Sequence, residues 1–259
     1  MKYYSTRDKN VSLSAAEAVK MGLSRDGGLL TPTRIPQIDR AFLERLIPME
    51  YAQRAAKVMA LYLTDYSEEE LLTFAFGKVA AACGEDIRRL FGKEVIVPTM
   101  PFPRITLREL YDELEARYGY TVSEDAKGDL TTDAEHLCAK FSMEKYGSEF
   151  LFVTDYDARE RAFYHMRDER GVPMGYDLIW RGCEITTGAV REHRYEVLKR
   201  QADEKGLAKD VEFYLQFFRY GCPPHGGFGL GVDRLTMLFL GLSIKEAEFL
   251  FRGPNRLTP

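Results

Sequence analysis

The chain has 259 residues, enough for one large or two small domains, and its 45% hydrophobic and 29% charged content is ordinary for a globular protein. The net charge is −4, with +1 in residues 1–84 and −5 in residues 85–259, so neither half has the basic excess that strong nucleic-acid binding requires. No run approaches the roughly 18 apolar residues of a membrane-spanning helix, and the N-terminus lacks the apolar stretch of a signal peptide. We therefore expect no membrane partner, and the charge does not favour a tRNA partner.

The cysteines are far apart in the sequence and form no C-x-x-C pair; they are Cys83, Cys138, Cys183 and Cys222. This spacing argues against a structural zinc site, whose ligands come in closely spaced pairs. Unpaired cysteines are typical of a reducing compartment, so we expect a cytoplasmic protein.

Residues 1–83 predict a small, mostly helical domain that begins with a polar strand or arm. Ser12 or Ser14 caps a helix that ends at Gly22, and Glu17, three residues after Ser14, completes a capping box. The sequence D-G-G at 26–28 then predicts a tight turn.

Two further helices are predicted before the end of this domain. Apolar residues recur at helical spacing over 51–63, and Ser67 begins a helix that Gly84 ends. We place the domain boundary at Gly84 and expect 84–105 to be a connection with little regular structure, because it contains Gly92 and several prolines.

The N-terminal segment resembles a known family. The sequences Y-Y-S-T-R at 3–7, D-G-G-L at 26–29 and I-P at 35–36 are similar to the small N-terminal domain of threonine synthase. In that family a lysine of a later domain binds pyridoxal phosphate. Since no such domain follows here, the resemblance implies a helical domain without catalysis, and we expect no pyridoxal phosphate.

The remaining residues, 106–259, predict an α+β fold built on an antiparallel sheet. Thr106 caps a helix that runs to Tyr118, and a second helix over 133–146 ends at Gly147. Short apolar runs predict strands at 150–153, 162–166, 174–180 and 183–188. Charged helices are predicted at 191–205 and 211–220.

The stretch 220–235, Y-G-C-P-P-H-G-G-F-G-L-G-V-D-R-L, is the most distinctive part of the sequence. Gly227, Gly229 and Gly231 alternate with apolar residues, so they share one face of a strand and leave it bare for a planar ring. Arg234 follows where the pattern becomes helical, and it places a permanent cation suited to a phosphate beside that face. The alternative is a glycine-rich strand that packs under a neighbour.

Two acidic residues and an arginine are further candidates. Asp177 and Glu184 lie on successive predicted strands, and converging carboxylates suit Mg²⁺; the alternative is that both are solvated or paired with arginine. Arg191 is suited to bidentate binding of a carboxylate. The alternative interpretation is that Arg191 lies on the face of a helix and pairs with Glu192 or Glu196.

The same residues carry a second resemblance. R-Y-G-x-P-P-H followed by G-x-G-x-G-x-D-R resembles motif 3 of class II aminoacyl-tRNA synthetases of the aspartyl/asparaginyl group. Similar segments lie, in the family's order, at 101–106, 152–156, 176–193 and 256–259. The resemblance spans roughly 85–259, or about two thirds of the chain.

The resemblance implies a role for each candidate. Arg191 would hold the side-chain oxygen of aspartate or asparagine. The metal set, which binds the Mg²⁺ that bridges the ATP phosphates, would be Asp177, Glu184 and Thr187. The residues that bind ATP itself would be Gly227, Gly229, Gly231 and Arg234.

The sequence also departs from that family. Motif 1, motif 2 with its F-R-x-E signature, and the anticodon-binding barrel are not recognisable before residue 85. We therefore expect an incomplete sheet whose exposed edge is covered by the N-terminal unit or by a second copy. Three hypotheses remain: an aspartate- or asparagine-activating enzyme that is weak on its own, a non-catalytic ATP- or aspartate-binding or regulatory module, and a non-functional chimera of two gene fragments.

Overall fold

The structure is a computed structural model that describes residues 1–49, 51–66 and 74–248. The chain divides into two compact units, one formed by 1–90 with 94–97 and the other by 91–93 with the residues from 98 onwards. The predicted start of a helix at Ser67 and the similar segment at 256–259 lie outside the described residues.

The first unit combines a two-stranded antiparallel sheet with helices. The strands are β1 (Tyr3–Ser5) and β2 (Leu30–Pro32), with Tyr4 opposite Thr31. The helices are α1 (Ala15–Met21), α2 (Arg40–Leu46), α3 (Tyr51–Ala60) and α4 (Phe74–Phe91).

The predicted cap and turn of this unit are both present. The Ser14 hydroxyl accepts from the Glu17 amide at 3.2 Å, the Glu17 carboxylate accepts from the Ser14 amide at 2.8 Å, and α1 ends at Gly22. In the turn, Gly27 has a φ of +73°, and a Cβ at Gly28 would lie only 2.1 Å from the Ser5 hydroxyl oxygen. Glycine is therefore required at both turn positions, one for its backbone angle and one for space.

The predicted helix end at Gly84 is wrong, because α4 continues through this glycine to Phe91. A glycine inside a helix costs about 1 kcal/mol relative to alanine, which the burial of a side chain such as Ile87 offsets. The helix instead ends before Gly92, whose φ is +62°. The boundary between the two units accordingly falls at 91–97, after this helix.

The second unit is built on a five-stranded sheet in the order β3-β4-β5-β6-β7, as expected for an α+β fold. The strands are β3 (Arg104–Thr106), β4 (Phe150–Thr154), β5 (Gly175–Trp180), β6 (Cys183–Arg191) and β7 (His225–Leu230). The pair of β3 and β4 is parallel, and the other three pairs are antiparallel.

Helices flank this sheet. They are α5 (Leu107–Tyr118), α6 (Thr132–Tyr146), α7 (Tyr195–Glu204), α8 (Glu212–Arg219), α9 (Val232–Leu240) and α10 (Ile244–Ala247). Thr106 and Glu109 form the predicted capping box of α5, and Gly147 ends α6 in the left-handed conformation.

The core of the second unit lies where α5 and α6 pack on β4 and β5. Its buried members include Leu110, Leu114, Phe141, Val153 and Ile179. On the sheet, the Trp180 ring stacks on Phe150 with centroids 5.3 Å apart and meets Phe239 edge-on at 5.0 Å.

Two predicted elements differ from the structure. Residues 162–166 form a turn rather than a strand, because the His165 amide bonds back to the Ala162 carbonyl. Strand β6 extends to Arg191, which lies opposite His225, and the predicted helix begins only at Tyr195. The pairing of β6 with β7 thus overrides the helical spacing of the charges at 191–194.

No helix in the described ranges has both the length and the apolar character needed to cross a bilayer.

Candidate functional site

The strand register brings candidate residues into rows across the sheet. Asp177 on β5 lies opposite Thr187 on β6, which lies opposite Gly229 on β7. Residues directly opposite each other in antiparallel strands point to the same face. The three residues therefore form one row, and a parallel row ends with Arg191 opposite His225.

A β-bulge adds Glu184 to this face. The register of β5 and β6 shifts after Leu178, so that Ile179 lies opposite Glu184 rather than opposite Ile185. Ile179 is two residues from Asp177 and shares its face, because side chains alternate along a strand. The bulge thus turns the Glu184 carboxylate toward the side of the sheet that carries Asp177.

Asp177 is held by an arginine that the sequence analysis did not single out. The Arg161 guanidinium donates through Nη1 to Asp177 Oδ1 at 3.2 Å and through Nη2 to Oδ2, and its Nη1 also donates to Thr187 Oγ1 at 3.4 Å. The guanidinium lies over the Tyr156 ring, 3.5 Å from the centroid. One cation thus joins two residues of the predicted metal set.

Glu184 has its own arginine. Arg234 Nη1 donates to Glu184 Oε1 at 3.3 Å and to the Glu184 carbonyl at 2.6 Å. Burial raises the pKa of Glu184, the negative charge of Asp177 raises it further, and Arg234 opposes both. The Glu184 amide donates to Glu135 on α6 at 3.4 Å, and burial likewise raises the pKa of that carboxyl.

The contacts of the predicted metal set decide whether it can hold Mg²⁺. This ion needs oxygen ligands in near-octahedral geometry and keeps several waters. Both oxygens of Asp177 and the Thr187 hydroxyl already accept from Arg161, whose positive charge would lie against the ion. The arrangement therefore does not fit a Mg²⁺ shared by Asp177, Glu184 and Thr187. Nowhere in the described ranges do three His, Cys, Asp or Glu side chains gather as a metal site.

Arg191 differs from these two arginines. Its guanidinium carbon lies 4.4 Å from the Tyr164 ring centroid, and a Cβ at Gly227 would lie 3.5 Å from its Nε and Nη2. Within the part of the chain that the structure describes, no carboxylate pairs with it. The helix-face alternative is wrong, because Arg191 ends a strand and Glu192 pairs with Arg194 at 2.7 Å.

A cleft of about 420 Å³ opens beside Arg191. Its other lining residues are mostly aromatic or apolar: Phe163, Tyr164, Val211, Phe213, Tyr214, His225 and Gly226. An apolar cleft with one convergent cation is the usual form of a site for a small anionic ligand.

The glycine-rich stretch forms the predicted strand with one difference. Gly227 and Gly229 lie on one face of β7, and no atom lies within 4 Å of a Cβ built at Gly229. Gly231 lies beyond the strand, where it is the N-cap of α9. The bare face therefore consists of two glycines, and ATP binding there stays a prediction.

The sequence analysis missed four residues of this region: Arg161, Tyr164, His165 and Glu135. Arg161 lies in the charged run 157–161, where nothing distinguishes it from its neighbours. Glu135 could have been recognised by its helical spacing. It precedes the buried Cys138 and Ser142 by three and seven residues on α6, so it lies on the same buried face.

His165 is another of these residues, and it is buried, with 7% of its surface exposed. Its backbone forms an isolated bridge with Arg191, and its Nδ1 would lie 3.1 Å from a Cβ at Gly175. Burial lowers the pKa of His165 to about 4, and the positive charges of Arg191 and Arg161 act in the same direction.

The fold and the sequence both match known proteins. The family model described as tRNA synthetases class II (D, K and N) matches residues 49–251. The aspartate–tRNA(Asp/Asn) ligase of Aeropyrum pernix is 41% identical over 181 residues, which are 68% of this chain and 40% of that protein.

Two solved structures are similar to this chain. The aspartyl-tRNA synthetase from Entamoeba histolytica gives a TM-score of 0.66 at 33% identity and covers 74% of this chain and 40% of its own. The asparaginyl-tRNA synthetase from Pyrococcus horikoshii, complexed with asparaginyl-adenylate, gives 0.62 at 33% identity and covers 74% and 44%.

An antiparallel sheet with flanking helices and a glycine-rich strand is thus the partial catalytic fold of a class II synthetase. The chain belongs to the class II tRNA synthetase family of the D, K and N type. It spans less than half the length of the relatives it matches.

The N-terminal residues match a second family. The model for the threonine synthase N terminus covers residues 2–75, as the sequence predicted. The synthetase match begins at residue 49, earlier than the expected 85, so the two matches overlap over 49–75.

The protonation of His165 can be tested directly. With a folded pKa of about 4 against an unfolded value of about 6.5, the unfolded chain binds a proton between these pH values that the folded chain does not. His165 therefore contributes stability that is complete above about pH 6.5 and is lost as the pH falls toward 4. Histidine-ring NMR should show a resonance that titrates near pH 4.

The His165→Gln exchange supplies the control for this measurement. It should remove that resonance and reduce the pH dependence of the unfolding free energy between about pH 6.5 and 4. A His165 resonance that titrates near pH 6.5 would contradict the buried, neutral imidazole.

Proposed function

We propose that the second unit binds ATP together with aspartate or asparagine, and that it forms the acyl-adenylate weakly on its own. The observation that carries this proposal is the Arg191 guanidinium, which faces an apolar cleft and forms no ion pair with a described carboxylate. The named activities of the relatives and the asparaginyl-adenylate in one neighbour support the same substrate class.

Arg191 can bind a ligand carboxylate or amide oxygen without breaking an existing ion pair. A guanidinium forms two parallel hydrogen bonds to a carboxylate and donates to the single oxygen of an amide, and the Tyr164 ring restricts its orientation. The same contact serves aspartate and asparagine, because both side chains present an oxygen. The contact therefore accounts for recognition of this pair of amino acids without distinguishing them.

The bare strand face gives room for the nucleotide. The open space over Gly229 admits a planar base, and Arg234 lies at the start of α9 close enough to reach a phosphate if it leaves Glu184. ATP would enter with the Mg²⁺ that its own phosphates bind. Adenylate formation then requires mainly that the amino-acid carboxylate is positioned in line with the α-phosphorus.

A second candidate is a module that binds these ligands without catalysis. The pairing of Asp177 and Thr187 with Arg161 favours this alternative, because it occupies oxygens that the resembled family uses for a metal. The matches to two different families, one in the N-terminal part and one over most of the remaining chain, support a chimeric origin of the chain.

A cytoplasmic location and the absence of pyridoxal phosphate remain parts of the proposal. All four cysteines are free thiols, which supports a reducing compartment.

The catalytic part of the proposal predicts feeble pyrophosphate exchange and no tRNA charging. The chain contains no F-R-x-E sequence, and losing one preorganised donor to the reacting phosphate lowers the rate by about 10²–10³. The rate of ATP–pyrophosphate exchange, measured with each amino acid of a panel in turn, should rise above background only with aspartate or asparagine. Charging of total tRNA with either labelled amino acid should stay at background.

The two assays separate the alternatives. Exchange with neither amino acid, combined with measurable ligand binding, would favour the non-catalytic module. Charging of tRNA at about 1 s⁻¹, which is an ordinary turnover rate for an enzyme, would overturn the expectation that the chain alone does not aminoacylate tRNA.

The role of Arg191 predicts a loss of affinity on truncation. Arg191→Ala should weaken aspartate or asparagine binding by about 2–3 kcal/mol, or roughly 30- to 150-fold, because a charge-assisted bidentate contact is lost. Isothermal titration of both proteins measures this difference. Arg200→Ala is the matched control, since that side chain is 68% exposed and should leave affinity unchanged. Equal binding by wild type and Arg191→Ala would exclude the contact.

We further propose that a second copy of the chain covers the outer edge of β7. Within the described residues this strand pairs on one side only, with β6, and it carries no Asp, Glu, Lys or Arg. Phe228 and Leu230 are 64% and 47% exposed along it, and Val232 at the start of α9 is 63% exposed. An uncharged, exposed edge strand readily pairs with another chain.

This edge predicts self-association that a charge should prevent. Leu230→Lys should shift the chain toward monomer in sedimentation velocity, because a lysine on an edge strand opposes pairing. Leu207→Lys is the control, since Leu207 is 37% exposed and belongs to the connection between α7 and α8 rather than to β7. A wild-type chain that is monomeric at tens of micromolar would refute the proposal.

A further inference from the structure

The pairing of Arg161 with Asp177 has the features of a permanent structural contact. Asp177 is 3% exposed, and the Arg161 side chain is 13% exposed. Both carboxylate oxygens are engaged by the guanidinium fork, and the cation also lies on the Tyr156 ring. The fork and the ring fix both the plane and the position of the guanidinium.

The buried carboxylate depends on this partner. A carboxylate taken out of water is strongly destabilising unless a counter-charge and hydrogen bonds compensate it. A guanidinium stays charged at any physiological pH, so it can supply that compensation whether or not a ligand is bound. Burial lowers the pKa of Arg161, but its hydrogen bonds and the charge of Asp177 outweigh burial and raise it overall.

The charges around Arg161 leave no place for a second cation at Asp177. Besides Asp177, one other carboxylate among the described residues forms an ion pair with Arg161: Asp129 Oδ1 lies 3.7 Å from Nη2, on a side chain that is 57% exposed. Thr187 contributes only a neutral hydroxyl. A divalent ion on these oxygens would have to replace the N–H donors and would lie beside a fixed positive charge.

We propose that Arg161 is the resident cation of Asp177 and Thr187 and that it keeps divalent metal ions off this carboxylate. Glu184 is then the remaining acidic residue of the predicted set, with Arg234 as its partner. The chain uses a side chain where the resemblance implies a metal ion. Binding of a metal ion without nucleotide probes this role of Arg161, so its test does not depend on the proposed function.

Mn²⁺ in place of Mg²⁺ gives the test, since free Mn²⁺ is counted by electron paramagnetic resonance without any nucleotide. The Arg161→Met chain should bind one Mn²⁺ at least about 10-fold more tightly than wild type, because both oxygens of Asp177 and the Thr187 hydroxyl lose the cation that occupies them. Adding Asp177→Asn to this variant should abolish the gain. Arg161→Lys, which keeps the charge, should behave as wild type.

Arg159→Met is the matched control for removing a positive charge nearby. Its side chain is 82% exposed and pairs with Asp157 at 2.8 Å, so its loss should leave Mn²⁺ binding unchanged. Mn²⁺ should also raise the unfolding temperature of Arg161→Met and not that of wild type, since a ligand stabilises only the state that binds it.

The wild-type background keeps the proposal testable if Arg161→Met does not fold. There, Asp177→Asn must leave the weak Mn²⁺ binding unchanged. A loss of 10-fold or more in that variant would overturn the proposal. Equally tight Mn²⁺ binding by wild type and a folded Arg161→Met chain would overturn it as well.

Discussion

The β-bulge between β5 and β6 is the constraint on which the candidate site depends. In a regular pair Glu184 would point to the opposite face from Asp177, because side chains alternate along a strand. The register shift after Leu178 reverses this and gathers the two carboxylates on one side of the sheet. Arg161 and Arg234 then compensate the concentrated negative charge.

This compensation divides the arginines of the site into two kinds. Arg161 and Arg234 each form an ion pair with a carboxylate of the chain. An anionic ligand that binds either arginine would have to break that ion pair. Arg191 lies on an aromatic ring and is not paired with any carboxylate of the described residues, so a ligand gains its full contact. Under the proposed function, binding the amino acid at Arg191 is therefore less costly than binding the phosphates at Arg161 or Arg234.

The sequence predicted features that depend on local chemistry. The caps of α1 and α5, the glycine turn at 26–28 and the glycine-rich strand follow from residues close together in the chain. Pairing between distant segments was not predictable in the same way. The length of β6 depends on β7, which lies more than 30 residues further on, and the bulge has no signature among the polar and small residues at 183–188. Arg161 was missed for the same reason, since only the folded sheet brings it to Asp177.

The aromatic stack around Trp180 affects how the folding of this chain can be followed. Trp180 is the single tryptophan, and it lies between Phe150 and Phe239 on the sheet of the second unit. Intrinsic tryptophan emission therefore reports on the second unit alone. The first unit contains tyrosines but no tryptophan, so its melting is silent in that signal. Far-ultraviolet circular dichroism registers the helices of both units, and a mismatch between the two signals would show that the units unfold separately.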